Sequence, residues 1–542
     1  MQKSSDLTSA TPPALVMNVT KANFAQVACE LETLLPEIDF IAIDEEMTGI
    51  FLPGKQESII DAPEVRYSKM KDVASSYSII QFGVALFAKS SANDKNYLAR
   101  AYNFYVFPEK GPVNMEASSV HFNSKNGMDW NAWIREGIPY LNREASAKLR
   151  AQLLPESGES DSKQRVQLNS AADIDTTSAA LQSLKDWMND ATRAHEKEFE
   201  IVTTNAYLRR YMHETLQEHF PDLVVESRPT ALRGMSTMVA LRLSDEEKNE
   251  RSAKIRAEKE AELVSKVGVR RIFAALANSK KPIVGHACLY DLMFAFSHFE
   301  GPLADSFREF KHALCGLFPT VYDTQLLARS DLFKTKPNSE PPQSRFRSFA
   351  LGEVHKVLKE EADSARAAGG QAVEIALADG HNRYATTAIF HEAGYDAFIT
   401  GCVFAYMAGE LFSEADKTAE PFKGRLVMFR NFFNVNLLGD DELITKGSYL
   451  HTRGLKGRSA SDFSSSLQSI LIELHKRKNV EAEFNAPFQI RWIDDDSAFA
   501  VFSEESSGLI AEICDEAQAA GGDVGGLHFM PGETWFKAQA AE

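Results

Sequence analysis

Phe40-Ile-Ala-Ile-Asp-Glu-Glu-Met-Thr-Gly-Ile50 reads as a buried strand that runs into acid. Phe40 to Ile43 are apolar, and Asp44 and Glu46 follow them. On a strand, residues two apart project to the same side, roughly 7 Å apart along the chain. Two carboxylates side by side at the end of an apolar strand are unfavourable unless positive charge sits between them. A divalent cation that prefers oxygen ligands, Mg²⁺ or Mn²⁺, meets that need. A lone Asp-x-Glu also describes a solvated strand end, so a metal is indicated only if other parts of the chain bring further acids.

The 542 residues are enough for about three domains. With 44% hydrophobic and 25% charged residues, the composition is that of a globular protein able to build real cores. A net charge of −17 argues against a chain that coats itself in nucleic acid, so any such site must be a local basic groove or a metal-neutralised one. The cysteines (Cys29, Cys288, Cys315, Cys402, Cys514) have no zinc-like or disulfide-framework spacing, which indicates a reducing compartment. The start, MQKSSDLTSATPP, lacks the apolar core of a signal peptide, and residues 1–16 read as a disordered tail. The apolar stretch Tyr395 to Phe412 carries Asp396 and Glu410, so it reads as a buried helix, and no membrane anchor is expected.

Along the chain, an amphipathic helix (Ala22 to Leu35) precedes the acidic strand. Gly49 to Lys55 has P-loop spacing, but Gln56 stands where a hydroxyl should meet Mg²⁺ and Pro53 spoils the cradle. Tyr77 to Phe87 and Ala101 to Phe107 are predicted neighbouring strands of one sheet. Residues 114–153 read as mostly helical, and the polar run Pro155 to Ala180 as a linker. Residues 181–243 read helix, strand, helix, strand. Within them Arg209 and His213 share one helix face at a spacing of four. Ser244 to Lys266 is a solvated, charged helix. Pro282 to Gly285 is a short strand followed by His286 and Asp291, and Val321 to Asp323 is another acid-ended strand. From about 445 to 530 the order strand, helix, strand, strand, helix, strand is ferredoxin-like, as in RNA-recognition motifs.

The acids that interrupt apolar elements are Asp44, Glu46, Asp291 and Asp396, and His391 lies close by in sequence. Five helical steps rotate about 500°, which would leave His391 and Asp396 roughly 140° apart if both lay mid-helix. They meet only if His391 sits on the loop before the helix and Asp396 in its first turns, an approach that Gly394 permits. Four acids and a histidine are the parts of two-metal phosphodiester hydrolysis, with the imidazole taking a proton from water. Asp291 is also explicable as a helix N-terminal acid, and His391 as a packed loop residue. A zinc-protease reading of His391-Glu392 fails, because Tyr395 occupies the place of the second histidine.

AIDEEMTGI, IVGHACLYD and FHEAGYDAFITG, in that order, resemble the DEDDh exonucleases, and within them the deadenylase branch. QFGVALF, YNFYVFP, GIPYLN (Gly137 to Asn142) and WIDDDSAF (Trp492 to Phe499) extend the resemblance over most of the chain. It implies an α/β fold: an RNase H-like nuclease domain, a mixed sheet with flanking helices, split between residues 17–165 and 266–430. A small α/β Arg-x-x-x-His nucleic-acid-binding module (172–247) interrupts it, with a charged helical linker (248–265). A ferredoxin-like RRM domain (443–530) and a tail (531–542) follow.

The implied activity is that of a Mg²⁺-dependent 3′-to-5′ exoribonuclease that shortens poly(A) tails and releases 5′-AMP. Asp44, Glu46, Asp291 and Asp396 would hold two Mg²⁺ (Mn²⁺ as an alternative), and His391 would be the general base. Met47, Ile50, Gln325, Arg209, His213 and Phe499 become the expected RNA contacts, and Trp492, beside Asp494, Asp495 and Asp496, a cap-stacking residue. The resemblance also implies a homodimer working in nucleus and cytoplasm. The chain departs from the pattern at Met47, where an aromatic is common, and at Gln325, where a lysine is expected; both bear on adenosine preference. A trimmer of small non-coding RNA 3′ ends, and an RNA-binding scaffold with a degenerate nuclease fold, are the alternatives.

Overall fold

Periodicity decides the central layer. In Phe40–Met47 alternate residues face opposite sides, and both sides are apolar before the acids begin. The computed structural model describes residues 17–90, 93–155, 166–201, 203, 205–221, 223–229, 236–337, 339, 341, 343–412, 419–443, 449–477, 488–502, 508–519, 522 and 524–541; the expected N-terminal tail lies outside them. The chain forms two compact units, residues 1–146 with 265–542, and residues 147–264.

In the first unit, Phe40–Met47 pairs antiparallel with Ile79–Ser90, which pairs antiparallel with Asn93–Tyr105. The other edge of Phe40–Met47 pairs in parallel with Ile283–Gly285, and that strand with Val321–Asp323. The expected mixed sheet with flanking helices is therefore present. Ile41 and Ile43 enter one core with Phe273, Phe294 and Phe299. Phe40 and Ala42 enter a second core with Phe398, Phe404 and Met407 of the helix Ala393–Leu411. That helix is buried on nearly all sides, which accounts for its uniform apolarity. Among the described residues no helix is long and apolar enough to cross a membrane.

The parallel partner is short. Its register, Ile41↔Ile283 and Ala42↔Val284, ends at Gly285, while Phe40–Met47 continues. The acids therefore lie beyond the carboxyl end of the parallel strand, the usual ligand position in open α/β sheets. The opposite neighbour brings the helix Ala393–Leu411 close. Gly83 lies across from Asp44, and a Cβ there would sit 1.9 Å from the carbonyl oxygen of Ala393. Gly394 packs as tightly, its absent Cβ falling 2.7 Å from both Asn103 Cβ and Tyr384 Oη.

The second unit corrects the linker assignment. Ala171–Asn189 is one helix with Thr177, Leu184 and Trp187 buried, so the polar run up to Ala180 is partly the solvated face of a packed helix. The expected final strand of this unit is a pair, Val224–Pro229 and Ser236–Leu241, antiparallel to each other. Asp245–Val267 is the charged helix.

Residues 449–531 of the first unit form an antiparallel four-stranded sheet, in the order Phe488–Trp492, Ser497–Phe502, Tyr449–Arg453, His528–Pro531. The helices Ala460–Arg477 and Gly508–Ala519 supply Phe463, Leu467, Ile510 and Ile513 to the core on one of its faces. The expected C-terminal tail is instead a helix, Gly532–Ala541. Its Trp535 and Phe536 pack on the other face, with Phe432, Phe433, Ile59 and Ile60.

Gly83→Ala tests the close approach beside Asp44. Backbone must move to admit the methyl group, so the variant is expected to lose about 1–3 kcal/mol of stability, read as a lowered urea midpoint with unchanged slope.

Candidate active site

Each acid is positioned for a local reason. Asp44 and Glu46 stand on the face of their strand that carries Phe40 and Ala42, toward the helix Ala393–Leu411. Asp291 lies in the first turn of the helix Leu289–Ala295. It fills the gap left by the short parallel strand, its Oδ1 accepting the Glu45 N–H at 3.0 Å. Asp396 lies in the first turn of Ala393–Leu411, and His391 on the turn before it. The His391 backbone is left-handed, φ +66°. Its N–H donates to Asp396 Oδ2 at 2.9 Å, and its ring meets the edge of Phe122 at 4.6 Å. Ligating atoms of Glu46, His391 and Asp396 all lie within 4.8 Å of one another.

A polar frame fixes this arrangement. The N–H groups of Ala393 and Gly394 donate to Gln81 Oε1 and Asn103 Oδ1, each at 3.2 Å. Glu392, next to His391, receives both Arg383 guanidinium nitrogens at 3.0 and 2.8 Å and the Tyr384 hydroxyl. The second acid-ended strand gives its carboxylate to backbone. Asp323 Oδ1 accepts from Ala287 and Gln325 N–H at 2.9 Å, and Oδ2 from Val427 N–H at 2.9 Å. Asp323 thereby pins the His286–Cys288 loop from which Asp291 is launched.

The acids repel one another. Burial first, then Asp291, Asp396 and Glu46, raise the Asp44 carboxyl well above its ordinary range. Burial and then Asp396 and Asp291 do the same to Glu46. Burial pushes both Asp291 and Asp396 up to about 7. Partial burial lowers the His391 imidazole from its ordinary value. Asp396 Oδ1 is buried with no hydrogen-bond partner among the described residues. An oxygen-rich, mutually repelling set with an orphaned buried oxygen fits a divalent cation.

The structure thus brings together Asp44, Glu46, Asp291, Asp396 and His391. The other expected contacts divide. Ile50 is exposed, whereas Met47 is partly buried against the core. Gln325 is corrected: it is 5% exposed and its side-chain amide donates to the Phe349 carbonyl at 3.1 Å, so it faces protein and not a substrate path. Phe499 is also corrected. It is fully buried among Phe432, Tyr449, Trp535 and Phe536, because the unforeseen C-terminal helix covers that sheet face. Trp492 is 38% exposed. It lies opposite Ala498, on the helix-packed face, with its ring edge against Phe463. Arg209 is partly buried and His213 exposed, on the helix Ala206–His219 of the second unit.

Sequence reasoning passed over Glu45, Phe122 and the structural role of Asp323. The run Asp44-Glu45-Glu46 was the available signal for the first; Phe122 offered none, because its contact with His391 is made between distant segments.

Comparison with known proteins bears on the same residues. The family described as CAF1 family ribonuclease matches residues 19–404, which contain all five. The poly(A)-specific ribonuclease PARN of Xenopus laevis is 28% identical over 91% of this chain and 78% of its own. Its human counterpart is 29% identical over 91% and 77%. The poly(A)-specific ribonuclease PNLDC1 of Mus musculus is 26% identical over 72% and 71%.

The raised carboxyls predict a pH signature. From 3.8, their ordinary value, to about 7, the cation-free folded chain holds protons on Asp291 and Asp396 that the unfolded chain has released. The unfolded state then binds fewer protons, so stability falls as pH rises. In EDTA the thermal midpoint is expected to drop between pH 5 and 8, and saturating Mg²⁺ to raise it more at pH 8 than at pH 5.

Proposed function

Because the chain belongs to the CAF1 family of ribonucleases, we propose that it shortens 3′ poly(A) tails, releasing 5′-AMP one nucleotide at a time. The observation that carries the reading is the convergence of Glu46, Asp396 and the imidazole of His391 within 4.8 Å, in the shared field of Asp44 and Asp291. Support for the substrate comes from the relatives, whose names specify poly(A) and whose similarity spans most of both chains.

Asp44, Glu46, Asp291 and Asp396 would hold two Mg²⁺, or Mn²⁺, which when bound neutralise phosphate charge and acidify a nucleophilic water. His391, on its turn beside Asp396, accepts the proton of that water as its oxygen attacks the terminal phosphorus. The bond from phosphorus to the 3′ oxygen of the preceding nucleotide breaks, and that oxygen leaves as the new 3′ hydroxyl after taking up a proton. Arg383, Gln81 and Asn103 keep the His391–Asp396 segment in place throughout. Ile50 and Phe122, exposed apolar side chains beside the acidic strand and the base, offer surfaces against which terminal bases stack.

The four-stranded C-terminal sheet and the helix carrying Arg209 and His213 extend this reading as RNA-gripping modules, the first without Phe499 as a platform. Trp492, exposed at the edge beside Asp494 and Asp495, is the residue that would stack a methylated guanine cap.

A 5′-labelled RNA ending in oligo(A) or oligo(U) tests the proposal. A one-nucleotide ladder on the A tail, weaker on U, absent in EDTA and absent for Asp44→Ala, is the expected outcome. Phe122→Ala is expected to weaken binding of both tails by about tenfold, the scale of one lost stacking contact. Equal rates on A and U in the wild type would favour general 3′ trimming. For the cap, methylguanosine-capped RNA is expected to bind more tightly than uncapped RNA in the wild type, and equally in Trp492→Ala.

A further inference from the structure

The acidic strand does not end freely. After Met47 the chain turns through Thr48 to Phe51, and this turn is stitched to the helix Ala117–Lys125, which carries Phe122. The Glu116 N–H donates to the Thr48 carbonyl at 2.9 Å. The Thr48 hydroxyl donates to the Asn114 carbonyl at 2.7 Å, and the buried Asn123 side-chain amide to the Met47 carbonyl at 3.3 Å. From the other side, the Tyr77 hydroxyl donates to the Phe51 carbonyl at 2.6 Å. Gly49 lies so near the Tyr77 ring that a Cβ would meet it at 2.6 Å.

One side chain joins turn and helix directly. Glu116, at the N-cap position of the helix, accepts the N–H groups of Ile50 and Phe51 on Oε2, each at 3.3 Å. The same oxygen accepts the Ser119 hydroxyl at 2.9 Å, and Oε1 accepts the Ser118 hydroxyl. These protein donors are about as many as an ionised carboxylate takes, so Glu116 is committed to the join and not to an ion. Each segment it joins carries an exposed apolar side chain: Ile50, 42% exposed, on the turn, and Phe122, 46% exposed, on the helix. Surfaces that a ligand must first order bind it more weakly than surfaces already in place.

Resting on the nuclease reading above, we infer that Glu116 is a positioning residue for the RNA 3′ end, which holds the Ile50 and Phe122 surfaces in place before the terminal bases arrive. It acts through those two residues and touches neither base nor phosphate. The acids stand on other supports, the central strand and two helix starts, and His391 is held by its own hydrogen bond to Asp396. Loss of the Glu116 carboxylate therefore loosens the seat of the RNA and leaves ion binding and the chemical step alone.

The experiment is steady-state hydrolysis of tri-adenylate by the full chain in Mg²⁺, with Mn²⁺ titration and thermal midpoints alongside. Glu116→Met, which keeps the length but accepts nothing, and Glu116→Ala are each expected to raise KM about tenfold, the scale of one base contact, with kcat and Mn²⁺ affinity unchanged. Glu116→Gln is expected to restore KM, because its amide oxygen still accepts the Ile50 and Phe51 N–H groups while its NH₂ donates to a serine hydroxyl. In a Phe122→Ala background, Glu116→Ala is expected to raise KM by less than it does alone, because one surface it holds is gone. An unmoved KM in Glu116→Met and Glu116→Ala, a fall in kcat or Mn²⁺ affinity instead, or no rescue by Glu116→Gln would overturn the inference and leave the nuclease reading intact. A wild-type chain that cleaves no oligo(A) would overturn the nuclease reading beneath it as well.

Discussion

Carboxyl groups from three separate segments are forced together where one parallel strand stops short. Ile283–Gly285 pairs with only the first half of Phe40–Met47, and the helix after it delivers Asp291 into the gap. On the adjoining face, two glycines let the start of a buried helix press against the sheet, which delivers Asp396 and His391. The result is a set of acids that burial and mutual repulsion keep from ionising freely. Their charge can be expressed only when something positive joins them, so the chemistry of the site is written into its repulsion.

The groups around the acids are resolved in the opposite way. Asp323 gives both oxygens to backbone N–H groups, Glu392 meets a bidentate arginine, and Gln81 and Asn103 meet the first N–H groups of the Asp396 helix. These satisfied contacts are what a rigid frame consists of, and each one hands its rigidity to a functional acid.

Much of this was legible in the chain. Acids that break into apolar runs are costly, so Asp44, Glu46, Asp291 and Asp396 announced themselves, and the pitch of a helix required His391 to precede Asp396 on a loop. The strands were legible from their β-branched and aromatic content. What misled was local reading of residues whose setting is made by distant segments. Gln325 lies on a helix start that residues near Phe349 cover. Phe499 occupies a strand position that suits base stacking, but a C-terminal helix that looked like a tail lies over it. The polar stretch before Ala180 read as linker because its apolar contacts, Leu184 and Trp187, come later in the same helix.

The acids and the base differ in mounting. Asp44 and Glu46 ride on the central strand, and Asp291 and Asp396 on helix starts. His391 sits on a left-handed turn, tethered by a backbone hydrogen bond to Asp396 and by the edge of Phe122. On the proposed reading, a pull on residues 387–391 would displace the proton acceptor before it displaced the acids that hold the ions, a clutch set between the cargo of the site and its engine.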